Sequence, residues 1–174
     1  WHLRYNGAMN PLSMAVVSAP SISIDTTLRS ATFGDVYFNS NQALETGTYD
    51  YLAGNDLPQR WDTCVEQDCF VVAETGFGSG LNFLLLWRLW EQHKHKPRQL
   101  HFISCELYPL TVEQLKTVWS TFPELSDQSD VLLAHYPSHR AGFHHIRLSE
   151  TVSLTLMLGD ATASLAQCHA AVDA

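Results

Sequence analysis

The clearest chemical signal in the sequence is a loop of alternating glycines. Gly76, Gly78 and Gly80 follow directly after an acid, Glu74. Because glycine has no β-carbon, such a loop allows a ligand to lie against the backbone. An apolar run precedes the loop and a helix-forming segment, residues 81–90, follows it. This order predicts a buried strand that turns sharply into a helix at a ligand-binding site.

The glycine spacing separates two classes of cofactor. A dinucleotide site has the pattern Gly-x-Gly-x-x-Gly, and its third glycine would fall at Leu81. The observed pattern, acid-x-Gly-x-Gly-x-Gly, instead resembles the first motif of Rossmann-like S-adenosylmethionine methyltransferases. In those enzymes the glycine backbone lies against the methionine and ribose part of the cofactor. A nicotinamide-dependent oxidoreductase remains the alternative, and Leu81 counts against it.

Two further acids are expected at the ends of predicted strands. Glu106 ends the apolar run 100–106, and Asp160 follows Gly159 at the end of another. Ligands of open α/β sheets bind at the carboxyl ends of the strands. An ionised Glu106 could accept hydrogen bonds from both ribose hydroxyls, and Asp160 could accept one from the adenine amino group. The competing interpretation is an ordinary loop acid or, for Asp160, a helix cap.

Composition limits the class of protein. The 174 residues suffice for one domain with a substantial core. A net charge of −8 argues against non-specific adhesion to nucleic acid or anionic membranes. The four cysteines form no Cys-x-x-Cys pair, which is typical of reduced thiols in a cytoplasmic protein. No apolar run reaches membrane-spanning length. Among the nine histidines, four candidate metal ligands stand in one segment: His135, His139, His144 and His145. No clear helix places His135 and His139 on one face and no cysteine lies nearby, so we expect surface histidines and no metal site.

Periodicity and turn residues predict an α/β protein in two parts. Residues 1–62 are interpreted as an N-terminal extension with short strands, in which residues 1–13, ahead of Met14, are upstream sequence or an addition. Residues 63–174 are expected to form strands and helices in alternation, typical of a parallel sheet. The expected elements are strands 69–75 and 100–106, helices 81–95 and 111–121, a hairpin over 143–149 and 151–158, a helix over 161–170 and the opening of a strand at 171–174. Residues 127–138 carry no clear pattern.

Four segments in one order resemble the methyltransferase domain of the MnmC family, bifunctional proteins of tRNA 5-methylaminomethyl-2-thiouridine biosynthesis. The resemblance covers roughly residues 30–174 and is much more specific than the glycines alone. Its segments are residues 33–38 (Phe-Gly-Asp-Val-Tyr-Phe), residues 51–60 (Tyr-Leu-x-Gly-Asn-x-Leu-Pro-x-Arg), residues 73–83 (Ala-Glu-Thr-Gly-Phe-Gly-Ser-Gly-Leu-Asn-Phe) and residues 101–106 (His-Phe-Ile-Ser-x-Glu).

The resemblance implies an enzyme with a Rossmann-like class I methyltransferase fold. It would transfer a methyl group from S-adenosylmethionine to the amine of 5-aminomethyluridine at the tRNA wobble position. The FAD of such bifunctional proteins belongs to an oxidase domain that has no counterpart in this sequence. The resemblance also implies a cofactor site that comprises Glu74, Gly76, Phe77, Gly78, Gly80, Asn82, Glu106 and, less directly, Asp160.

The sequence departs from the family pattern at its C-terminal end. In the family, a segment like Val172-Asp173-Ala174 continues into a strand with the aspartate expected beside the transferred methyl group. We therefore expect a truncated domain with no assignable catalytic residue, with one unpaired edge on strand 69–75 and with little activity alone. A non-catalytic fragment or binding module is the second alternative.

Overall fold

The computed structural model describes residues 15–20, 22–24, 27–30, 36–39 and 51–174. These residues form two β-sheets and five α-helices. The strands are β1 (Ile22–Ile24), β2 (Thr27–Ser30), β3 (Val36–Asn39), β4 (Cys69–Thr75), β5 (Gln99–Glu106), β6 (Gly142–Arg147) and β7 (Val152–Leu158). The helices are α1 (Leu57–Thr63), α2 (Leu81–Gln92), α3 (Val112–Trp119), α4 (Ser126–His135) and α5 (Ala161–Leu165), with a 3₁₀ turn at Pro123–Leu125 before α4.

The N-terminal part contains the short strands that the sequence predicts. Strands β1, β2 and β3 pair antiparallel in that order. The predicted turn at residues 33–35 and the segment before Met14 lie outside the described residues. The predicted domain boundary between residues 62 and 63 falls within α1. Trp61 of that helix is fully buried and packs edge-on against Trp90, with ring centroids 5.1 Å apart, so α1 shares the core of the main sheet.

The main sheet has the strand order β4-β5-β7-β6. Strands β4, β5 and β7 are parallel, and β6 is antiparallel to β7 because a tight turn at residues 148–151 joins them. The α/β fold and the hairpin that the sequence predicts are therefore confirmed. Parallel strands buried on both faces read as continuous apolar runs, which is the pattern of Phe70, Val71 and Val72.

Helices α2, α3 and α4 cover one face of this sheet. The apolar stripe of α2 lies in the core, where Leu84 and Trp90 are fully buried. The predicted cap of α3 is a complete capping box. Thr111 Oγ1 accepts a hydrogen bond from the Gln114 amide at 3.2 Å, and Gln114 Oε1 accepts one from the Thr111 amide at 2.8 Å. The apolar stripe of α2 and the cap of α3, both predicted from the local sequence, are therefore found in the structure.

Two helix predictions need correction, and one helix was not predicted. Helix α2 ends at Gln92 because His93 is already extended, and α5 ends at Leu165, so both are shorter than predicted. The segment without a clear pattern contains α4. Polar residues at its buried positions hide the periodicity, since the buried Gln128 donates a 2.6 Å hydrogen bond to Glu91 of α2. A partner on another helix thus satisfies a buried amide that sequence periodicity would place outside.

The outer edge of β4 is occupied by the last residues of the chain. The Ala174 amide donates to the Val71 carbonyl at 3.2 Å, and the Ala73 amide donates to the Ala174 carbonyl at 2.9 Å, as in a parallel strand pair. Asp173 Oδ2 accepts a hydrogen bond from the Val71 amide at 2.8 Å, and the Arg60 side chain donates to the Asp173 carbonyl. The prediction of an unpaired edge on strand 69–75 is therefore wrong at these positions. Residues 171–174, predicted as the start of a strand, lie against the edge of β4.

The opposite face of the sheet contains a buried polar network around His101. Its Nδ1 lies 2.8 Å from Ser153 Oγ and its Nε2 lies 3.2 Å from Thr155 Oγ1, which also contacts His145 Nδ1 at 3.2 Å. Burial and, secondly, the neighbouring His145 lower the pKa of His101 to about 4. The folded protein therefore holds a neutral imidazole between two hydroxyls.

The pKa of His101 predicts a loss of stability in acid. Its folded-state value of about 4 lies below the ordinary 6.5, so the unfolded chain takes up this proton first as the pH falls. We expect the contribution of His101 to the free energy of unfolding to decrease as the pH falls from 6.5 to about 4, and His101→Gln to remove that contribution. Urea unfolding at the two ends of this window measures it. A matched change at the exposed His95, His95→Gln, should retain the parent's pH dependence, and equal slopes for both variants would contradict the prediction.

Candidate active site

The three predicted acids lie at one edge of the main sheet. Glu74 is near the carboxyl end of β4, Glu106 ends β5, and Asp160 follows β7 after Gly159. Parallel register brings Glu106 opposite Leu158, and the Gly159 amide donates a 2.9 Å hydrogen bond to the Glu106 carbonyl. The edge is therefore the place where an open α/β sheet binds ligands.

The glycine loop leaves β4 in a conformation that favours glycine. Gly76, Gly78 and Gly80 have φ angles of 88°, 54° and 69°. The Gly76 and Phe77 amides both donate to the Cys105 carbonyl of β5, at 3.0 and 2.8 Å. Gly80 then begins α2, since its carbonyl accepts the Leu84 amide at 3.0 Å. The loop is thus fixed both to the neighbouring strand and to the helix that follows it.

Phe77 supports the loop from beneath. Its ring is buried and lies where a β-carbon on Gly80 would come within 2.6 Å. Its amide donates to Cys105 and its carbonyl accepts from the Gly80 amide at 2.7 Å. The side chain of Phe77 thus belongs to the core, and its cofactor contact stays a prediction. Trp119 adds a second support from α3, because its indole N–H donates to the Ser79 carbonyl at 2.8 Å.

Glu106 joins the glycine loop to the segment after β5. One carboxylate oxygen accepts the Gly78 amide at 2.7 Å, and the other accepts the Tyr108 amide at 2.8 Å. A carboxylate offers about four acceptor positions, so two remain for a ligand. The side chain is thereby held in place with the capacity to accept both hydroxyls of a ribose.

Glu74 has polar partners but is largely withdrawn from water. Ser104 Oγ donates to its Oε1 at 3.1 Å, and Asn82 Nδ2 donates to its Oε2 at 3.2 Å. Burial raises the pKa of Glu74 to about 7; these two hydrogen bonds oppose the shift, and the charge of Glu106 adds to it. Ser104 is a site residue that our sequence reasoning missed. It lies directly opposite Glu74 in the parallel register, which a strand alignment could have indicated.

Asp160 is an exposed helix cap. Its Oδ1 accepts the Ala163 amide at 2.9 Å at the start of α5. The capping interpretation thus describes the structure, and the adenine contact stays a prediction. The carboxylate nevertheless lies on the same edge as Glu106, where a further acceptor position remains available.

The residues at this edge fit a cofactor that has hydroxyls and a positive charge. A β-carbon built on Gly76 would meet no atom within 4 Å, so the loop has open space beside it. Two carboxylates border the loop, and Glu106 already occupies the Gly78 amide. A pyrophosphate would need free loop amides and would be repelled by the carboxylates. A sulfonium nucleoside needs no such amides, and its positive charge is attracted by the carboxylates.

Metal ligation finds no support in the described part of the chain. No group of three or more His, Cys, Asp or Glu side chains lies close enough there to hold an ion. Three of the candidate histidines contact backbone carbonyls instead: His135 with Val131, His139 with Leu110, and His144 with Arg140.

Among the described residues, no helix is both long and apolar enough to cross a bilayer.

Comparison with known proteins agrees with this geometry. The crystal structure of MNMC2 from Aquifex aeolicus matches 92% of this chain and 48% of its own, with a TM-score of 0.59 and 22% identity. The likeness confirms the Rossmann-like α/β fold. No family model matches the sequence.

Curated relatives define the relationship more closely. A protein of Legionella pneumophila (strain Philadelphia 1) is 42% identical over 131 residues, 74% of this chain and 20% of its own length. A protein of Azoarcus (strain BH72) is 41% identical over 155 residues, 88% of this chain and 24% of its own length. Both are tRNA 5-methylaminomethyl-2-thiouridine biosynthesis bifunctional proteins MnmC. The chain is thus similar to MnmC proteins over most of its own length, and it spans about a fifth to a quarter of these relatives.

A methyl group at Gly80 should separate steric clash from backbone strain. Gly80→Ala places its β-carbon against the Phe77 ring, whereas Gly76→Ala has a similar positive φ and no neighbouring atom. We expect Gly80→Ala to lower the free energy of unfolding by about 1–3 kcal/mol more than Gly76→Ala, as overpacking does. Chemical denaturation of both variants measures the difference. Equal losses would contradict the support role of Phe77.

The raised pKa of Glu74 predicts a second pH dependence, of opposite sign to that of His101. Between its ordinary pKa of 4.5 and about 7, the folded state retains a proton that the unfolded chain has released. Raising the pH across this window therefore lowers the contribution of Glu74 to the free energy of unfolding. Glu74→Gln should remove this part of the dependence, measured by urea unfolding at both ends of the window. Glu150→Gln, at an exposed turn, should retain it; the same slope in both variants would refute the assignment.

Proposed function

We propose that this chain provides the cofactor-holding half of an S-adenosylmethionine-dependent tRNA methyltransferase. The reaction would methylate the amine of 5-aminomethyluridine at the wobble position, in a cytoplasmic enzyme whose macromolecular substrate is tRNA. The observation that carries the proposal is the Glu106 carboxylate, fixed by the Gly78 amide at the carboxyl edge of the sheet. The sequence similarity to MnmC proteins supports tRNA as the class of substrate.

The roles of the site residues follow from their positions. S-Adenosylmethionine, when bound, supplies the activated methyl group. The backbone at Gly76 and Gly78 would border its methionine and ribose part, and Glu106 would accept hydrogen bonds from the ribose hydroxyls. Glu74, oriented by Asn82 and Ser104, would face the positively charged amino-acid part. Asp160 would lie toward the adenine.

Methyl transfer to an amine requires little acid–base assistance from this half of the site. The reaction is a direct displacement, so the main contribution of the protein is to position the two reactants in line. A rigid loop suits that task, since amides at Gly76, Phe77 and Gly78 are all held by the end of β5. Among the described residues we assign cofactor-holding roles alone.

A nicotinamide-dependent oxidoreductase is the weaker candidate. Leu81 stands where the third glycine of a dinucleotide loop would allow helix and strand to approach, and its side chain is buried there. The carboxylates Glu74 and Glu106 would also repel a pyrophosphate. Both observations favour a cofactor without phosphate.

Binding of S-adenosylhomocysteine tests the cofactor assignment. Glu106→Gln keeps the shape of the side chain but loses its charge, and we expect at least about tenfold weaker binding by calorimetry, as for lost hydrogen bonds to a charged group. The matched control Glu150→Gln, at the opposite end of the sheet, should bind like the parent. Unchanged affinity in Glu106→Gln, or tighter binding of NAD than of S-adenosylhomocysteine by the parent, would overturn the proposal.

A further inference from the structure

A polar cavity lies beside the turn between β6 and β7, at the end of the sheet opposite the glycine loop. Its volume is about 100 Å³, which suits a small polyatomic ion or group rather than a whole nucleoside. Six of the residues that line it have side chains able to donate a hydrogen bond: Gln99, His145, Arg147, Ser149, Thr151 and Ser153. The acid among the lining residues is Glu150.

The register of the sheet gathers several of these side chains on one face. Ser153 of β7 pairs with Arg147 of β6 on one side and with His101 of β5 on the other. Neighbouring strands lie about 4.8 Å apart, so these three residues form a row across the sheet. His145 is two residues from Arg147 and lies on the same face. The cavity therefore adjoins the polar network of His101, on the face that the helices α2, α3 and α4 do not cover.

The guanidinium of Arg147 is oriented by the turn itself. Its Nε donates to the Ser149 carbonyl at 3.2 Å, and its Nη2 donates to the Glu150 carbonyl at 3.3 Å. Most N–H donors of the guanidinium remain available, since Arg147 forms no ion pair within the described part of the chain. An arginine that is already held in place loses less side-chain entropy when it binds an oxyanion.

Two hydroxyls at the cavity have oxygens that already accept hydrogen bonds. Ser149 Oγ accepts the amides of Thr151 and Val152, at 3.2 and 3.0 Å. Thr151 Oγ1 accepts the indole N–H of Trp90 at 3.4 Å. Each hydroxyl therefore keeps its proton for an acceptor outside the turn. Together with Arg147, they offer donors to a ligand that consists mainly of acceptors.

The charge around the cavity favours an anion, although Glu150 opposes it. Residues 131–149 contain two arginines, four histidines and no acid, in a chain with a net charge of −8. Glu150 is exposed, and its carboxylate makes no ion pair with Arg147. Water and salt screen an exposed carboxylate, so its repulsion is weaker than the contact of an anion with the oriented guanidinium.

We infer that this cavity binds a phosphate group, with Arg147 as its ionic anchor and the hydroxyls of Ser149 and Thr151 as further donors. A phosphate carries negative charge and several acceptor oxygens, which match a guanidinium and hydroxyl protons. The group can come from a free phosphate compound or from a phosphodiester of tRNA. Strand β7 separates the cavity from the cofactor edge by about 20 Å, at about 3.3 Å per residue, so the site is distinct from the cofactor site.

Titration with inorganic phosphate tests the inference, at constant ionic strength and with chloride as the reference anion. Phosphate should give saturable shifts of the Ser149, Thr151 and Ser153 amide resonances, and chloride should not. Arg147→Gln should weaken phosphate binding about 10- to 100-fold, as for lost charge-assisted hydrogen bonds. Glu150→Gln should bind phosphate more tightly than the parent. Lys116→Gln removes one exposed positive charge on α3 and should bind it like the parent.

Arg147→Lys separates the charge of this residue from its contacts with the turn. Lysine retains the charge but loses the two hydrogen bonds to the turn carbonyls, as glutamine does. We expect Arg147→Lys to bind phosphate more tightly than Arg147→Gln. Equal losses in the two variants would show a structural role and would overturn the inference. Phosphate shifts that do not saturate, parent affinity in Arg147→Gln, or weaker binding in Glu150→Gln would also overturn it.

Binding of tRNA at fixed salt distinguishes the two sources of the phosphate group. If Arg147→Gln weakens both phosphate and tRNA binding, and Lys116→Gln weakens neither, the cavity holds a phosphodiester of tRNA. If Arg147→Gln weakens phosphate binding alone, the cavity takes a free phosphate compound. S-Adenosylhomocysteine should bind equally to the parent and to Arg147→Gln. Failure of the parent to bind it would contradict the proposed function and leave the phosphate site standing.

Discussion

The conformation of the glycine loop depends on the end of strand β5. Three consecutive loop amides, of Gly76, Phe77 and Gly78, donate to the Cys105 carbonyl and the Glu106 carboxylate. Glycine supplies the positive φ angles but gives the loop no stiffness of its own, since it has more conformational freedom than any other residue. Neighbouring elements therefore provide the rigidity, and the parallel pairing of β4 with β5 is the constraint on which the site depends.

The same arrangement sets the electrostatics of the site. Glu106 cannot hold the loop without bringing its charge near Glu74, whose burial already raises its pKa to about 7. A ligand with a positive charge reduces the electrostatic repulsion between the two carboxylates, and an anionic ligand adds to it. One carboxylate thus fixes the loop and also contributes to its negative charge, so the architecture and the electrostatics of the site have a common origin.

Sequence reasoning was most reliable where local signals and burial agree. The strand β4, the capping box at Thr111 and the β6–β7 hairpin follow from apolar runs, a cap and turn residues. It was wrong or silent where a distant partner decides. Helix α4 was not predicted because Gln128 is buried against Glu91, and nothing in the sequence indicated that the Phe77 ring is buried in the space that Gly80 leaves. The periodicity of a single segment cannot indicate such partners, because they lie on other elements of the fold.

The amino-acid sequence by itself determined the alternation of strands and helices, the glycine spacing and the order of segments shared with MnmC. These are properties of residue type and spacing, which need no tertiary contact to be read. The tertiary structure alone decided that Ser104 lies opposite Glu74, that Asp160 caps α5, and that Arg147 and Ser153 border one cavity. The physical reason is that register and burial arise between elements far apart in the chain, where packing selects one arrangement among many that the local sequence permits.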